Sequence, residues 1–469
     1  MLIRILLIAL GGGAVMWSVR QWRLAIQAAM LLLILEGAIR KWLLPGAQDL
    51  VYFAKDALFI GAYIGFFRSR ARAALPQAPL LYGALAFAAA LGLLQVFNPR
   101  LPNLLVGVLG FKSYFLYVPL LFVVPAVFPD DSALARFLER YVLIVFPVVL
   151  LSIAQFFSPA GSILNTYAQP TDIASISTFG SSKFVRTTGT FSYISGYTAY
   201  LLVTTLLLMM ILTTTRWRFR GNLIVYAALG MTLLGIMMSG SRGPIFLLAL
   251  VFPLYWWLGV VREKQSGRTF VRLLLGMGLL VAGLRSAGEE AVTAFSQRAS
   301  GSQDVGSRVT TPFTSPIDML PYAGLLGYGI GATHQAAAAL TGGGESNWLG
   351  TVVPESESGR VMLELGPVGF FFVYLARLAL AFFAFRQALR LRTTFHRAVA
   401  TSALLFLLIQ IPGGTVFDVT GGVYYWFLGG LVFLVTRLDR QTAASRQASL
   451  AVPRPVVPLT APASSLRSG

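Results

Sequence analysis

The sequence predicts an all-α, polytopic membrane protein with about 12–13 transmembrane helices and a large periplasmic loop. Three observations carry that prediction. Of 469 residues, 56% are hydrophobic and only 12% charged, with a mean hydropathy of +0.72, whereas a soluble domain carries about twice that charged fraction. The apolar residues gather in runs near the length that crosses ~30 Å of hydrocarbon. The basic residues behind the formal net charge of +19 stand in short clusters between those runs. That is the positive-inside pattern, so nucleic acid is rejected as a partner.

The runs fall at 2–19, 24–39, 50–67, 79–97, 104–127, 141–157, 190–213, 222–239, 243–261, 272–285, 366–385, 398–412 and 421–436. In lipid the backbone must satisfy its own hydrogen bonds, so each reads as a helix. Met1 to Arg20 has one early arginine and no small-x-small cleavage site, which makes it a retained span rather than a signal peptide. Residues 1–285 form an N-terminal transmembrane bundle that includes an SGSRG hairpin, and 286–365 form the large periplasmic loop. Residues 366–436 supply the C-terminal transmembrane helices, and 437–469, rich in Ala, Ser, Pro and Arg, read as a disordered cytoplasmic tail. A second outer segment, 158–189, is also too long for a simple turn. Of the 37 lysines and arginines, 23 fall on one side, 12 on the other, and Lys55 and Arg377 lie within spans. The rich side is the cytoplasmic one. Cysteine is absent, which excludes disulfides, thiolate metal sites and cysteine nucleophiles.

Charges at membrane depth are expensive and mark candidate sites. Glu36, Lys55, Asp56 and Arg377 lie there, with Arg40 and Lys41 at the outer edge. The plain alternatives are a local Lys55–Asp56 pair and an i,i+4 pair between Glu36 and Arg40. Arg242 lies in SGSRGP, a tight small-residue turn on the side where arginine is disfavoured, and its planar fork suits a phosphate. Lys112, Lys183, Arg186 and Arg360 project to the same side, and together these cations suit an anionic, membrane-tethered ligand. Snorkelling to lipid headgroups is the alternative, strongest for Lys112. Among the scarce outer carboxylates, Glu355, Glu357 and Glu364 are candidates to take a proton from a hydroxyl nucleophile. Glu364 reads more readily as half of a structural ion pair, and Arg360 as the group that holds Glu357. His334 stands alone in an alanine-rich stretch, and GYGIG (327–331) lacks the βαβ context of a nucleotide loop. Metal-ligand spacing is absent.

Four stretches occur in order: RTTGTFSYISGYTAYLL (186–202), MMSGSRGPIFLLAL (237–250), GYGIG, and ESESGRVMLELGPVGFFF (355–372). In order and spacing they resemble the O-antigen ligase/polymerase superfamily. EGAIRKWLLP (36–45), YFAKD (52–56) and GFKSYFLYVPLLFVVP (110–125) look like a subgroup found with exopolysaccharide gene sets. The resemblance covers roughly residues 30–435. It implies a multi-pass protein of the bacterial inner (cytoplasmic) membrane, with its active face periplasmic. Its activity would be metal-independent transfer of glycan from undecaprenyl diphosphate, with no cofactor. Arg186 and Arg242 match the arginines that meet the diphosphate. Where many members have His-Asn, this chain has Glu355-Ser356, so Glu355 or Glu357 would replace the histidine base.

The expected function is therefore polymerisation of undecaprenyl-diphosphate-linked oligosaccharide repeats for exopolysaccharide or O-antigen. Catalysis would fall to Glu355, Glu357 and Arg242, and diphosphate binding to Arg186, Arg242, Arg360, Lys183, Lys112, Arg40 and Lys41. Partners would be the lipid-linked glycan, membrane lipid and a chain-length regulator protein. Two alternatives stay open: ligase-type transfer to another acceptor, and a non-catalytic transporter of small anions, which would need broken helices and internal repeats.

Overall fold

A computed structural model describes residues 2–69, 75–167, 178–179, 184–214, 219–263, 293, 305–334, 337, 340, 354 and 356–451. Among them there is no strand, only an isolated antiparallel bridge between Thr178 and Val185. Among the described residues seven helices are long and apolar enough to cross a membrane, and the shorter Pro79–Gln95, Leu223–Met238 and Thr394–Ile409 are apolar as well. The chain is an all-α, multi-pass membrane protein.

The first helices are α1 (Leu2–Arg20), α2 (Trp22–Ala38), α3 (Gln48–Arg68) and α4 (Pro79–Gln95). The run at 104–127 is broken into α5 (Leu104–Phe115) and α6 (Leu120–Val127), with Pro119 at the junction removing a backbone donor. The run at 141–157 is longer than expected, because α7 (Asp131–Leu143) leads directly into α8 (Val145–Phe157). Then come α9 (Ile194–Thr213), α10 (Phe219–Met238), α11 (Gly243–Glu263) and α12 (Val305–Ala323), and the last three are α13 (Glu357–Arg390), α14 (Thr394–Ile409) and α15 (Val419–Ala451). The span expected at 272–285 lies outside the described residues. Two boundaries differ from expectation. Helix α13 begins at Glu357, inside the segment read as loop, and α15 continues as helix to Ala451, well into the segment read as a disordered tail.

Helix α3 packs between α1 and α2, α4 packs on α13, and α6 lies against α15. Helix α9 touches α10, α14 and α15 and is buried along nearly all its length. Four contacts gather one end of the bundle. Arg23 Nε donates to the Ala126 carbonyl (3.1 Å) and Arg437 Nη2 to the Phe128 carbonyl (2.7 Å). Buried His396 stands between Asp131 (Nε2–Oδ1 2.8 Å) and Asp439 (Nδ1–Oδ1 3.2 Å). The opposite end is about 26 Å away, since Arg23 and Arg40 stand 17 residues apart on one helix rising 1.5 Å per residue.

Candidate functional site

At that opposite end, α2 does not stop where the regular helix does. It widens into a π turn at Ile39–Leu43, which places Arg40 and Lys41 both inward and buried. Such one-turn π insertions are common at functional sites. Lys41 directs its ammonium onto Thr188 Oγ1 (3.0 Å), the Gly189 carbonyl (2.9 Å) and the Phe191 carbonyl (2.8 Å). Three donors meet three acceptors, so Lys41 anchors the loop before α9 and has no donor left for a diphosphate. Gln155 holds the same loop from α8, accepting from the Gly189 amide (2.8 Å) and donating to its carbonyl (3.2 Å). Gly37 makes the approach possible, because a Cβ there would run into the backbone of residues 190–192.

The charges of α2, α3 and α5 form a chain of pairs that differs from the local pairs expected. Lys55 bonds Glu36 (Nζ–Oε2 2.7 Å) rather than its neighbour Asp56. The expected Glu36–Arg40 pair is present but longer, at 3.6 Å. Asp56 turns to Lys112 (2.6 Å) and accepts from Tyr117 OH (2.7 Å). Lys112, flanked by the Tyr52 and Phe53 rings at 4.4 and 4.5 Å, is therefore half of an interior ion pair rather than a snorkelling side chain.

Two glutamates read as candidate bases or pairs have other partners. Glu357 lies on Arg377, not Arg360: Oε1 is 2.7 Å from Arg377 Nη2 and also accepts from the Thr415 amide (3.0 Å) and hydroxyl (3.1 Å). Its Oε2 accepts from the amides of Val416 (2.9 Å) and Phe417 (3.1 Å). A carboxylate with five donors around it is a clamp on the 415–417 turn, poorly placed to take a substrate proton. Glu364 forms no ion pair among the described residues. It is fully buried and accepts from Thr333 N (2.8 Å), Thr333 Oγ1 (2.7 Å) and Tyr114 OH (2.9 Å). Glu355 and Lys183 lie outside the described residues.

What these contacts enclose is a cavity of about 310 Å³. Helix α2 lines it with Glu36 and Arg40, α3 with Tyr52 and Lys55, the entry to α9 with Phe191, Ser192, Tyr193, Ser195 and Gly196, and the entry to α15 with Phe417–Thr420. Arg40 donates from Nη1 to Ser192 Oγ (3.0 Å), while its buried Nε has no partner among the described residues. Asp418 was missed in the sequence. It stands one residue ahead of the last span, and burial pushes its carboxyl up to about 6 against the amides that would lower it. The available signal was an acidic residue in GGTVFDVTGG, on a side poor in carboxylates. Arg360 sits just behind the wall, its guanidinium 5.1 Å over the Phe417 ring and donating to the Pro354 carbonyl (3.3 Å). His334, half-buried, is held below the usual imidazole range by burial and by the Lys112 charge.

The loop that lines the cavity also carries Arg186, five residues earlier and so at most about 17 Å from Phe191. Arg186 bonds the SGSRG turn through the Ser239 carbonyl (3.0 Å) and Ser241 Oγ (3.3 Å). Gly240 has φ +63 there, and a Cβ would strike Arg186 Nε and the Phe179 ring. Arg242 is half-buried at the same turn. Of the expected cations, then, Arg186 and Arg242 share one turn, Arg40 and Arg360 flank the cavity, and Lys41 and Lys112 are engaged within the protein. Among the described residues no group of three or more His, Asp or Glu side chains could hold a metal ion. No protein-family model matches the chain, and no curated protein matches it.

Proposed function

We propose that this membrane protein polymerises lipid-diphosphate-linked oligosaccharide repeats at the periplasmic face of the bacterial inner membrane. The observation that carries this reading is the cavity lined by buried Arg40, continuous along one loop with the turn that Arg186 bonds through Ser241. The motif resemblance to the O-antigen ligase/polymerase superfamily and the excess of basic residues at the other end support it further.

In this mechanism the lipid diphosphate lies at the SGSRG turn and the acceptor sugar in the cavity. The acceptor hydroxyl oxygen attacks the donor's anomeric carbon and passes its proton to Asp418, whose raised pKa suits a base working near neutral pH. The bond from that carbon to the diphosphate oxygen breaks, and its electron pair leaves with the lipid diphosphate. Arg186 and Arg242 meet the growing charge, which is where fixed cations accelerate a reaction most. Asp418 replaces Glu357 as the proposed base because Glu357 is occupied by five donors.

A small-anion carrier finds less support. The broken helix that such a carrier would use for its ligand is present in α13, but its freed carbonyls are taken. Tyr328 and Gly329 donate to Leu363 and Glu364 (2.9 and 3.0 Å). The deciding experiment is polymer synthesis by Arg242→Lys in cells. Lysine keeps the charge and loses the fork, so polymer should fall at least about tenfold while the protein accumulates normally. Near wild-type polymer from that variant would remove the arginine from the mechanism.

A further inference from the structure

We propose that the cavity beside Arg40 is a monosaccharide subsite that selects a sugar bearing a carboxylate. This rests on the glycan reading above only in calling the ligand a sugar.

Arg40 is 7% exposed, and its position is held on three sides. The π turn fixes its backbone, Ser192 takes Nη1, and the Tyr52 ring lies 5.2 Å from the guanidinium. A guanidinium so held cannot swing out to find water, yet its Nε–H has no acceptor among the described residues. Arg40 is part of the cavity lining, so an acceptor on a ligand there meets a cation already fixed in place.

Charge points to the kind of acceptor. Arg40 and Lys55 balance Glu36 and Asp418 on the cavity wall itself. Directly behind the wall, Arg360 lies over Phe417 and forms no ion pair with a described carboxylate. Among the described residues the surroundings therefore carry more cations than anions, and a single negative charge in the cavity is welcome. A diphosphate is a poorer guest, because its higher charge would sit beside Glu36 and Asp418. The rest of the lining suits a sugar ring. Tyr52, Phe191, Tyr193 and Phe417 offer apolar faces to its C–H side, and Ser195 and Thr420 offer hydroxyls to its polar rim.

The test uses the full-length protein purified in detergent, with no donor present, and measures binding by calorimetry. The probes are the methyl glycosides of glucuronic acid and glucose, the galacto pair, and inorganic pyrophosphate. In at least one pair the uronide should bind about tenfold or more tighter than its neutral partner, as one charge-assisted hydrogen bond in a buried site implies. Arg40→Gln should bring the two members of that pair to near-equal affinity. If that variant does not accumulate, Ser192→Ala, which frees the guanidinium to turn away, should narrow the gap. Equal binding within both pairs, or no binding by any sugar, would overturn the proposal. So would pyrophosphate displacing the uronide from the wild type, since the cavity would then be the diphosphate site. Arg242→Lys should keep the uronide preference even where polymer synthesis is lost, so failure of the polymerase reading and failure of this one are told apart.

Discussion

Among single residues, the carboxylates carry the strongest consequences. Asp418 is held near 6 by burial, against an ordinary 3.8. If it is the base, polymerisation should rise with pH through about 6, and Asp418→Asn should lower the rate and remove that limb. The stability effect has the opposite sense. The folded state keeps this proton after the unfolded chain has lost it, so stability falls as pH rises from about 4 to about 6. Unfolding midpoints in detergent should therefore favour Asp418→Asn over the wild type more at pH 7 than at pH 4.5. Glu357 behaves differently. Replacing it by glutamine turns an amide group toward N–H donors and leaves buried Arg377 without its ion partner, at about 3 kcal/mol or more. Glu357→Gln should lower the unfolding midpoint and accumulation; a variant of normal midpoint that made no polymer would restore Glu357 as the base. That Glu357 and Glu364 mattered was legible from their scarcity on one side, but their partners were not. Arg377 is 20 residues from Glu357 and Tyr114 is 250 from Glu364, and no local pattern links such pairs.

Individual elements show how one break is made good. Helix α13 is interrupted at Gly366, with φ +65 and ψ 179, followed by Pro367. Proline cannot donate to Leu363, so that carbonyl and its neighbour on Glu364 need other donors, and the GYGIG turn supplies the amides of Tyr328 and Gly329. GYGIG is thus a backbone cap for a broken helix, and its glycines let two chains meet where a Cβ on Gly327 would strike Glu364. Gly366→Ala should destabilise by about 1–3 kcal/mol from backbone strain alone, plus a clash with the Leu325 carbonyl. A lowered unfolding midpoint in detergent would register this, and an unchanged midpoint would mean that the kink is not required. The glycines and the proline were visible in the sequence. Their pairing was not, because 35 residues separate Gly331 from Gly366.

At the scale of the whole molecule, the arrangement has two unlike ends. One gathers Arg23, Arg437 and the Asp131–His396–Asp439 cluster; the other gathers the cavity and the SGSRG turn. On the orientation proposed above, the first faces the cytoplasm. A reporter fused after Gly324 should then lie outside and one fused after Arg440 inside. A cytoplasmic signal from the Gly324 fusion would reverse the assignment and put the cavity on the wrong side for a periplasmic polymerase.

The amino-acid sequence by itself determined the class of the fold and the position of nearly every described helix. A run of apolar residues long enough to cross lipid has few alternatives to a helix, and that preference acts locally. It also singled out Glu36, Arg40, Lys41, Lys55, Asp56, Glu364 and Arg377, all of which the structure buries, but not Asp418. Tertiary structure decided which of those residues work together. The rotation of α2 through its π turn, the side-by-side packing of α2 and α3, and the return of 415–420 beside α9 are set by side-chain packing between distant segments. Those choices hand Lys55 to Glu36, Arg377 to Glu357 and Lys41 to the 188–191 loop. They leave Arg40 and Asp418 facing the same small cavity.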